Sequence, residues 1–350
     1  MLAPAEERGL DKKDNPFTRS YSMLVHQANM LADHVRTGTY QRAIVENPSN
    51  FKDKVVLDVG TGSGILAMFA ARAGAKRVYA VEASDMAQSA RTLVAANGLA
   101  HVVTVVQGKI EEVELPEKVD VIVSEPMGFL LVHERMLEAY VCGRTRFGKP
   151  GVRMFPTRGT MFFLPFSDWT LYSEQLAKAQ FWKNSDFYGV DFSALVDEAV
   201  KQHFSQPVVG TFDPSVLISD QSRPASHTID FEHTGVPEML DIAVPFQFTV
   251  HTTTLLHGLA CWFDVDFVGA HKTVRLSTAP TETTTHWYQA RLLLPKPLAV
   301  NEGQSVSGSV LLKANEHFSY DIDLTVRLDG TSIEVSNRVH LQDQLYHYLQ

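Results

Sequence analysis

Two glutamates, Glu125 and Glu134, stand nine residues apart in the largely apolar segment VIVSEPMGFLLVHERML. Glu125 directly follows a run that predicts a buried strand, and the spacing allows the chain to double back so that both carboxylates face one point. Such a pair suits a planar cation. The guanidinium of arginine presents five N–H donors in a planar fork, which carboxylates bind in a bidentate manner. The pair therefore predicts a site for an arginine side chain.

The elements around this pair predict an open sheet. The apolar runs VVLDVG, RVYAVEAS, VVTVVQG and VDVIVSE indicate strands, and ILAMFAARAG and MAQSARTLVAANG indicate helices between them. Strands that are apolar throughout and alternate with helices are typical of a parallel sheet covered on both faces. Glu125 then lies at the carboxyl edge of the sheet, where open α/β folds bind their ligands.

The turn after the first predicted strand contains Gly60, Gly62 and Gly64. Dinucleotide-binding turns place the third glycine three residues after the second, whereas here it follows after two. Asp58 adds a negative charge that would repel a pyrophosphate and favour a sulfonium or amino group. Glu82, 22 residues after Gly60, ends the second strand and can accept hydrogen bonds from both hydroxyls of a ribose. The combination resembles the sheet of the S-adenosylmethionine-dependent methyltransferases, which implies that cofactor.

A guanidinium needs help to accept a methyl group, because it stays protonated with a pKa above about 12. Two carboxylates could draw its positive charge away from the attacking nitrogen and align that nitrogen with the methyl group. A base must then take a proton, and Glu134 is expected to have a raised pKa if Glu125 crowds it. Nucleic-acid amino-methyltransferases commonly carry Asn or Asp followed by Pro-Pro and an aromatic residue here. This chain has Ser-Glu-Pro-Met instead, which argues against a nucleic-acid acceptor. A methyltransferase that acts on a non-protein acceptor is kept as the alternative.

Composition excludes several classes of protein. Lys plus Arg is 31 and Asp plus Glu is 40, so the net charge is −9. This balance argues against direct nucleic-acid binding and is compatible with a cationic partner. The two cysteines, Cys142 and Cys261, form no CxxC pattern, so we expect no disulfide framework and no metal site. The first residues lack the apolar core of a signal peptide, and the apolar stretch 244–269 contains histidines and aspartates, so we expect no membrane span.

Patterning along the chain divides it into three parts. Helical spacing of apolar residues predicts helix over 17–46 with a break near Gly38, and period-two alternation predicts strands from about 207 onward. From the pattern alone these strands could form an antiparallel sandwich or a barrel. With the lid and the barrel taken from the family resemblance of the motifs, the expected domains are an N-terminal segment with a helical cofactor lid (1–50), a Rossmann-like domain (51–156) and an antiparallel β-barrel-like domain (157–350). The last includes a helical, aromatic-rich excursion over about 168–205.

Several motifs together resemble one family. SEPMGFLLVHERML resembles the double-glutamate loop of the protein arginine methyltransferases, DVGTGSGILA and VYAVEAS resemble their cofactor motifs, and THWYQ resembles their Thr-His-Trp loop. The likeness runs from about Phe17 to Val326, and it is greatest to the coactivator-associated branch of the family. It implies a type I enzyme, which forms monomethylarginine and asymmetric dimethylarginine, and a homodimer joined through the 168–205 segment.

The resemblance also implies a role for each matching residue. Glu125 and Glu134 would hold the substrate guanidinium, and His286 with Asp33 would form a proton relay. The substrate channel would be lined by Met30, Met127 and Trp287. Cofactor contacts are implied for Phe17, Tyr21, Arg36, Asp58, Gly60, Gly62, Glu82, Ala83, Lys109, Ile110, Glu111 and Glu125. Two positions depart from the family pattern: Thr18 replaces a lid aromatic, and Phe129 replaces a frequent tyrosine whose hydroxyl would lie near the cofactor.

The family further implies its partners. Substrates would be arginine-containing proteins such as histone tails and RNA-binding proteins, in the nucleus and cytoplasm. The aromatic residues of 168–205 could instead form a local core, and His286 could be a satisfied histidine at a domain interface. A second alternative for the whole chain is an inactive cofactor-binding subunit that partners an active relative.

Overall fold

The computed structural model describes residues 17–346, without the side chain of Thr18. Residues 1–16 of the first predicted domain and 347–350 of the last therefore lie outside the described residues, as does the predicted departure at the Thr18 side chain. The division into three domains stays a prediction.

From residue 17 onward, four helices precede the first sheet: α1 (Phe17–Tyr21), α2 (Leu24–Ala32), α3 (His34–Val45) and α4 (Pro48–Phe51). The helical segment is interrupted at Ser22–Met23 and again at Asp33, so the predicted break near Gly38 is wrong. Asp33 is extended, and its Oδ1 accepts a hydrogen bond from the backbone N–H of Arg36 at 2.9 Å, which caps the start of α3. A glycine within a helix costs only about 1 kcal/mol, so α3 continues through Gly38.

A five-stranded parallel sheet follows, in the order β3-β2-β1-β4-β5. Its strands are β1 (Val55–Val59), β2 (Arg77–Glu82), β3 (Val103–Gln107), β4 (Val119–Ser124) and β5 (Gly148–Phe155). The helices are α5 (Ile65–Arg72), α6 (Met86–Ala96) and α7 (Met136–Phe147). The chain order reverses beside β1, because β2 lies on one side of it and β4 on the other. The carboxyl ends of β1 and β4 therefore flank the crevice in which such sheets bind ligands.

The second half of the chain forms two mainly antiparallel sheets. The larger has the order β16-β7-β12-β10-β6-β8, with β11 paired to β10, and the smaller has the order β15-β14-β13-β9. The strands are β6 (Arg158–Phe166), β7 (Val208–Gly210), β8 (Ala225–Asp230), β9 (Asp241–Thr249), β10 (Thr254–Val268), β11 (Thr273–Ser277), β12 (Gln289–Val300), β13 (Ser305–Ala314), β14 (Tyr320–Leu328), β15 (Glu334–His340) and β16 (Leu345–Tyr346). A short helix, α10 (Val236–Leu240), precedes β9. The prediction of a Rossmann-like sheet followed by an antiparallel β domain is confirmed.

The excursion between β6 and β7 is helical, as predicted, with α8 (Trp169–Lys178), α9 (Val196–Phe204) and short 3-10 turns at Ala179–Lys183 and Ser193–Leu195. Part of its aromatic content forms a local cluster, in which Phe187 contacts Phe181 and Phe192. Other rings face outward, and Trp169 and Tyr188 are 59% and 93% exposed. The segment therefore has both a local aromatic cluster and an exposed aromatic surface, and its role in joining a homodimer stays a prediction.

Within residues 17–346, no helix has the length and apolarity needed to cross a membrane. Over the same residues, no group of three or more histidine, cysteine or acidic side chains comes together as metal ligands would.

Asn47, which is fully buried, ties the N-terminal helices to the β domain. Its Oδ1 accepts hydrogen bonds from the backbone N–H groups of His271 and Lys272, both at 2.9 Å, in the turn between β10 and β11. Its Nδ2 donates to the carbonyls of Ala43 at 2.9 Å and Lys272 at 3.0 Å. One amide therefore satisfies four backbone groups of two distant segments.

We expect Asn47→Ala to lower the free energy of unfolding by about 2–4 kcal/mol, because it leaves several buried backbone groups without partners. Urea unfolding followed by far-UV circular dichroism measures the change. The matched control is Asn97→Ala, since Asn97 is exposed and its two side-chain hydrogen bonds, from Nδ2 to the Leu93 carbonyl and to Oδ1 from Arg72, lie at the surface. A loss for Asn47→Ala no larger than that of the control would contradict this account.

Candidate active site

The glycine turn after β1 packs closely against side chains of the neighbouring helices. Gly62 has a φ of +53°, and a Cβ there would lie 2.8 Å from Oε1 of Gln27 on α2. Gln27 reaches the turn through Oε1, which accepts from the backbone N–H of Ser63 at 3.2 Å, and its Nε2 donates to the Tyr21 carbonyl at 3.0 Å. The turn is thus fastened to the helices that cover it. Periodicity along α2 alone gave no signal for Gln27.

Asp58 lies under this turn, where it is fully buried. Its Oδ2 accepts from the hydroxyl of Thr61 at 2.5 Å and the backbone N–H of Ala67 at 3.0 Å. Burial raises the pKa of Asp58 from 3.8 to about 7, against the effect of these two hydrogen bonds. The carboxyl thus shapes the turn from below, and a contact between Asp58 and a cofactor stays a prediction.

Glu82 at the end of β2 fits a ribose. Its Oε2 accepts from the backbone N–H of Gly62 and its Oε1 from that of Ser84, both at 2.8 Å. These bonds fix the carboxylate beside the turn and leave each oxygen a second lone pair. The loop after β3 lies next to it, because the N–H of Gly108 donates to the Glu82 carbonyl at 2.9 Å. In that loop Ile110 is buried, whereas Lys109 and Glu111 are exposed, as is Ala83 after β2.

Glu125, just after β4, is held by Arg36 of α3. Nε and Nη2 of Arg36 donate to the same oxygen, Oε2 of Glu125, at 3.0 and 2.7 Å. Both side chains are about nine-tenths buried, at 8% and 10% exposed. Burial alone would lower the pKa of Arg36, but the Glu125 carboxylate outweighs it and raises that pKa. The cofactor contact implied for Arg36 stays a prediction, and the structure shows its guanidinium bound to Glu125.

Glu134 is held by a different kind of partner, the Tyr21 hydroxyl, which donates to its Oε2 at 2.7 Å. Its pKa is raised from 4.5 to about 7, chiefly by burial and further by the charge of Glu125, although the Tyr21 hydrogen bond lowers it. The expected direction is confirmed, but the main cause is burial and not the crowding by Glu125. The two carboxylates are close enough for like-charge repulsion to matter.

The loop that carries Glu134 has unusual backbone geometry. Leu130, Leu131, Glu134 and Arg135 all have positive φ, with Glu134 at +72°. Such values cost non-glycine residues energy and persist only where surrounding contacts enforce them. Here Arg135 provides such contacts, since its Nε and Nη2 donate to Glu138 at 2.6 and 2.8 Å and its Nη1 to the Asn315 carbonyl at 3.2 Å.

The Thr-His-Trp loop contacts two earlier segments of the chain, at Asp33 before α3 and at Met127 after β4. Asp33 Oδ2 is 2.8 Å from the backbone N of His286, which donates to it, and 2.7 Å from Nδ1 of the same residue. Burial would raise the pKa of Asp33, but the hydrogen bonds from His286 and from the N–H of Arg36 outweigh it and lower that pKa from 3.8 to about 2. Trp287 Nε1 donates to the Met127 carbonyl at 2.9 Å. Met30 lies one turn before Asp33 on α2.

His133, which the sequence did not single out, contacts both Phe17 and Phe129. The Phe17 ring meets it edge-on with centroids 5.5 Å apart, and the Phe129 ring stacks on it at 5.8 Å. Phe129 also contacts Tyr346 of β16, with centroids 5.7 Å apart. Tyr40 is a further residue the sequence missed, and its hydroxyl donates to the Ser124 carbonyl at 2.8 Å.

Comparisons with known proteins place these features in a family. The model described as "Arginine methyltransferase oligomerization subdomain" matches residues 157–332, and that of "Ribosomal protein L11 methyltransferase (PrmA)" matches residues 42–133. In the structure of the Trypanosoma brucei PRMT1 enzyme-prozyme heterotetrameric complex with AdoHcy, one chain is 34% identical, with a TM-score of 0.81 over 92% of this chain and 99% of that one. This chain belongs to the arginine methyltransferase family.

Two further relatives show how this chain compares with members of the family in length. Protein arginine methyltransferase 10 of Arabidopsis thaliana is 33% identical with a TM-score of 0.83, and the match covers 93% of this chain and 99% of that one. "Histone-arginine methyltransferase CARMER" of Drosophila willistoni is 48% identical over 342 residues, which is 98% of this chain but 63% of the relative. The chain thus spans about 63% of the length of this curated relative.

The raised pKa of Glu134 makes the stability of this protein depend on pH. A carboxyl whose folded pKa exceeds its unfolded value contributes stability below about pH 4.5 that is lost as the pH rises through about 7. We therefore expect Glu134→Gln to stabilise the fold at pH 8 by about 1–3 kcal/mol and to have little such effect at pH 4.5. Urea unfolding at both pH values measures this. Glu302→Gln, in an exposed turn, is the control, and equal gains at the two pH values would contradict the assignment.

Proposed function

We propose that this chain is a protein arginine N-methyltransferase of type I, which transfers methyl groups from S-adenosylmethionine to guanidino nitrogens of arginine in proteins. The observation that carries the proposal is the arrangement of Glu125 and Glu134. Within residues 17–346, their hydrogen bonds use Oε2 in both cases, with Arg36 on one and Tyr21 on the other. Oε1 of each carboxylate is therefore left to accept N–H groups of a guanidinium.

The cofactor would supply a methyl group on a positively charged sulfur. The residues that fit it lie along one edge of the sheet. Glu82 suits the ribose, the turn at Gly60 and Gly62 admits close approach of a ligand to the backbone, and Ala83 with Lys109, Ile110 and Glu111 lies where an adenine would extend from that ribose. Phe17, Tyr21 and Arg36 belong to the helices that cover this edge, and Asp58 supports the turn.

The two glutamates would act on the substrate in different ways. Glu125, fixed by Arg36, would orient the guanidinium and attract its charge towards the nitrogens that do not react. Glu134, with its pKa near 7, would hold the other side of the fork and could take a proton at neutral pH. With Nδ1 of His286 held by Asp33, the lone pair of a neutral imidazole lies on Nε2, so His286 could pass this proton to solvent.

The finer assignments rest on the family. Met30, Met127 and Trp287 would line the channel for the substrate arginine, and Met30 would favour two methyl groups on one nitrogen. Histone tails and RNA-binding proteins are the proposed substrates, in the nucleus and cytoplasm, and the histone-arginine methyltransferase name of the Drosophila relative supports histones. The exposed aromatic surface of 168–205 supports a homodimer, since exposed apolar patches commonly mark interfaces.

Glu134→Gln tests the base directly. We expect the variant to lose at least about a hundredfold in kcat, because amides take up protons poorly, while its affinity for S-adenosylmethionine stays within about twofold. Peptide methylation followed by mass spectrometry and calorimetric titration with the cofactor measure the two quantities. For the unmodified protein, kcat/KM should rise with pH through about 7 as Glu134 ionises. Turnover of Glu134→Gln equal to that of the Glu302→Gln control would remove the base assignment.

The product decides the type of enzyme. After incubation of a histone-tail peptide with S-adenosylmethionine, fragmentation of an asymmetric dimethylarginine releases neutral dimethylamine, and we expect this loss. Monomethyl or symmetric product alone would keep the two-glutamate site and overturn the role of Met30. Cofactor binding without turnover on any arginine peptide, restored by a relative's chain, would instead identify a partner subunit. Turnover on RNA or free nucleosides alone would identify a different acceptor.

A further inference from the structure

His133, directly before Glu134, is 4% exposed and bonds on both sides of its ring. Nδ1 lies 2.9 Å from the hydroxyl of Ser319, and Nε2 lies 2.7 Å from Nε2 of Gln344. The amide nitrogen of Gln344 can only donate, so Nε2 of His133 accepts and Nδ1 carries the hydrogen that it donates to Ser319. The imidazole is thus neutral, in agreement with burial that lowers its pKa from 6.5 to about 4.

The faces of the same ring connect three segments that are remote in sequence. Phe129 of the active-site loop stacks on it, and Phe17 of α1 meets it edge-on. Tyr346 of β16 packs against Phe129 on the C-terminal side. A single imidazole therefore contacts the loop that carries Glu134, the first helix and, through Gln344, the C-terminal segment 341–346.

These contacts lead back to Glu134 by a second route. Phe17 begins α1 and Tyr21 ends it, and the Tyr21 hydroxyl donates to Glu134 at 2.7 Å. Movement of α1 away from His133 would therefore also remove the hydrogen bond to Glu134 and admit water to it. The positive φ of Glu134 adds to the need for a fixed environment, since such a backbone conformation persists only where its surroundings enforce it.

We propose that His133 is a positioning residue, and that with the C-terminal segment 341–346 it forms a clamp that holds both α1 and Glu134 in place. The inference rests on the proposed function, in which Glu134 is the base. The groups that face Glu134 are Tyr21 from α1 and Glu125 from the end of β4, with Arg36 of α3 behind Glu125. His133 acts on Glu134 through the placement of α1 and the exclusion of water.

Three substitutions separate the contacts of His133. His133→Phe keeps an aromatic ring of similar size and removes both hydrogen bonds, His133→Asn keeps a donor near Nδ1, and His133→Gln keeps an acceptor near Nε2. We expect the Phe variant to lose about ten- to a hundredfold in kcat, as for other displaced catalytic groups. The rise of kcat/KM with pH should also move to lower pH, because Glu134 becomes hydrated. Asn or Gln should restore part of both.

Hydrogen exchange measured by mass spectrometry tests the clamp without any substrate. Gln344→Ala removes the hydrogen bond between the C-terminal segment and Nε2 of His133. If His133 couples this segment to α1, the substitution should also speed amide exchange in α1, which His133 contacts through Phe17. The matched control is Gln247→Ala, an exposed glutamine whose Nε2 donates to Asp329 at 3.0 Å on the small sheet.

The results distinguish this inference from the proposed function. A Phe variant with the kcat and pH profile of the unmodified protein would overturn the clamp, as would faster exchange in Gln344→Ala confined to 341–346. If the unmodified protein transfers no methyl group, the proposed function fails, and the exchange experiment still decides whether α1 and the C-terminal segment are coupled.

Discussion

Two carboxylates brought to one buried point repel each other, and the active site depends on how Glu125 and Glu134 are kept there. The structure gives each a different partner. Glu125 receives the guanidinium of Arg36, which compensates its charge, whereas Glu134 receives only the neutral hydroxyl of Tyr21, and burial raises its pKa to about 7. One carboxylate is thereby paired with a cation, whereas the other has a neutral partner and a pKa raised by burial. Arg36 and Tyr21 both come from the N-terminal helices. Those helices therefore supply the positive charge and the hydroxyl that pair with the two carboxylates, and they also cover the site.

This constraint explains why so many distant segments converge on the carboxyl edge of the sheet. Asp33 caps α3, which carries Arg36, and the same carboxylate holds His286. Trp287 then fixes the loop after Glu125 through the Met127 carbonyl. Asn47 joins the end of α3 to the turn between β10 and β11. The parallel sheet alone could not hold the pair, because its own loops provide backbone groups but neither Arg36 nor Tyr21.

Much of this organisation could be predicted from the sequence. Apolar strands alternating with helices indicated the parallel sheet, period-two alternation indicated the antiparallel one, and the spacing of Glu125 and Glu134 indicated a site for a planar cation. Local patterns were less reliable where a single side chain decided the outcome. The helix break was assigned to Gly38 by residue type, but the capping carboxylate of Asp33 sets it. Asp58 was expected to act on a ligand through its charge, and its burial below the turn could not be known from its position in the chain.

The sequence by itself determined the elements, the order of the motifs and the family, because periodicity and local motifs are properties of short segments. Only the tertiary structure decided which residues serve the two glutamates. Arg36 lies 89 positions from Glu125 and Tyr21 lies 113 from Glu134, and no local pattern encodes contacts at such separations. The same holds for His133, whose ring meets Ser319 and Gln344 only after the β domain has folded. Burial and like-charge repulsion, which set the pKa of Glu134, depend on what surrounds a residue in space, and that is fixed by packing.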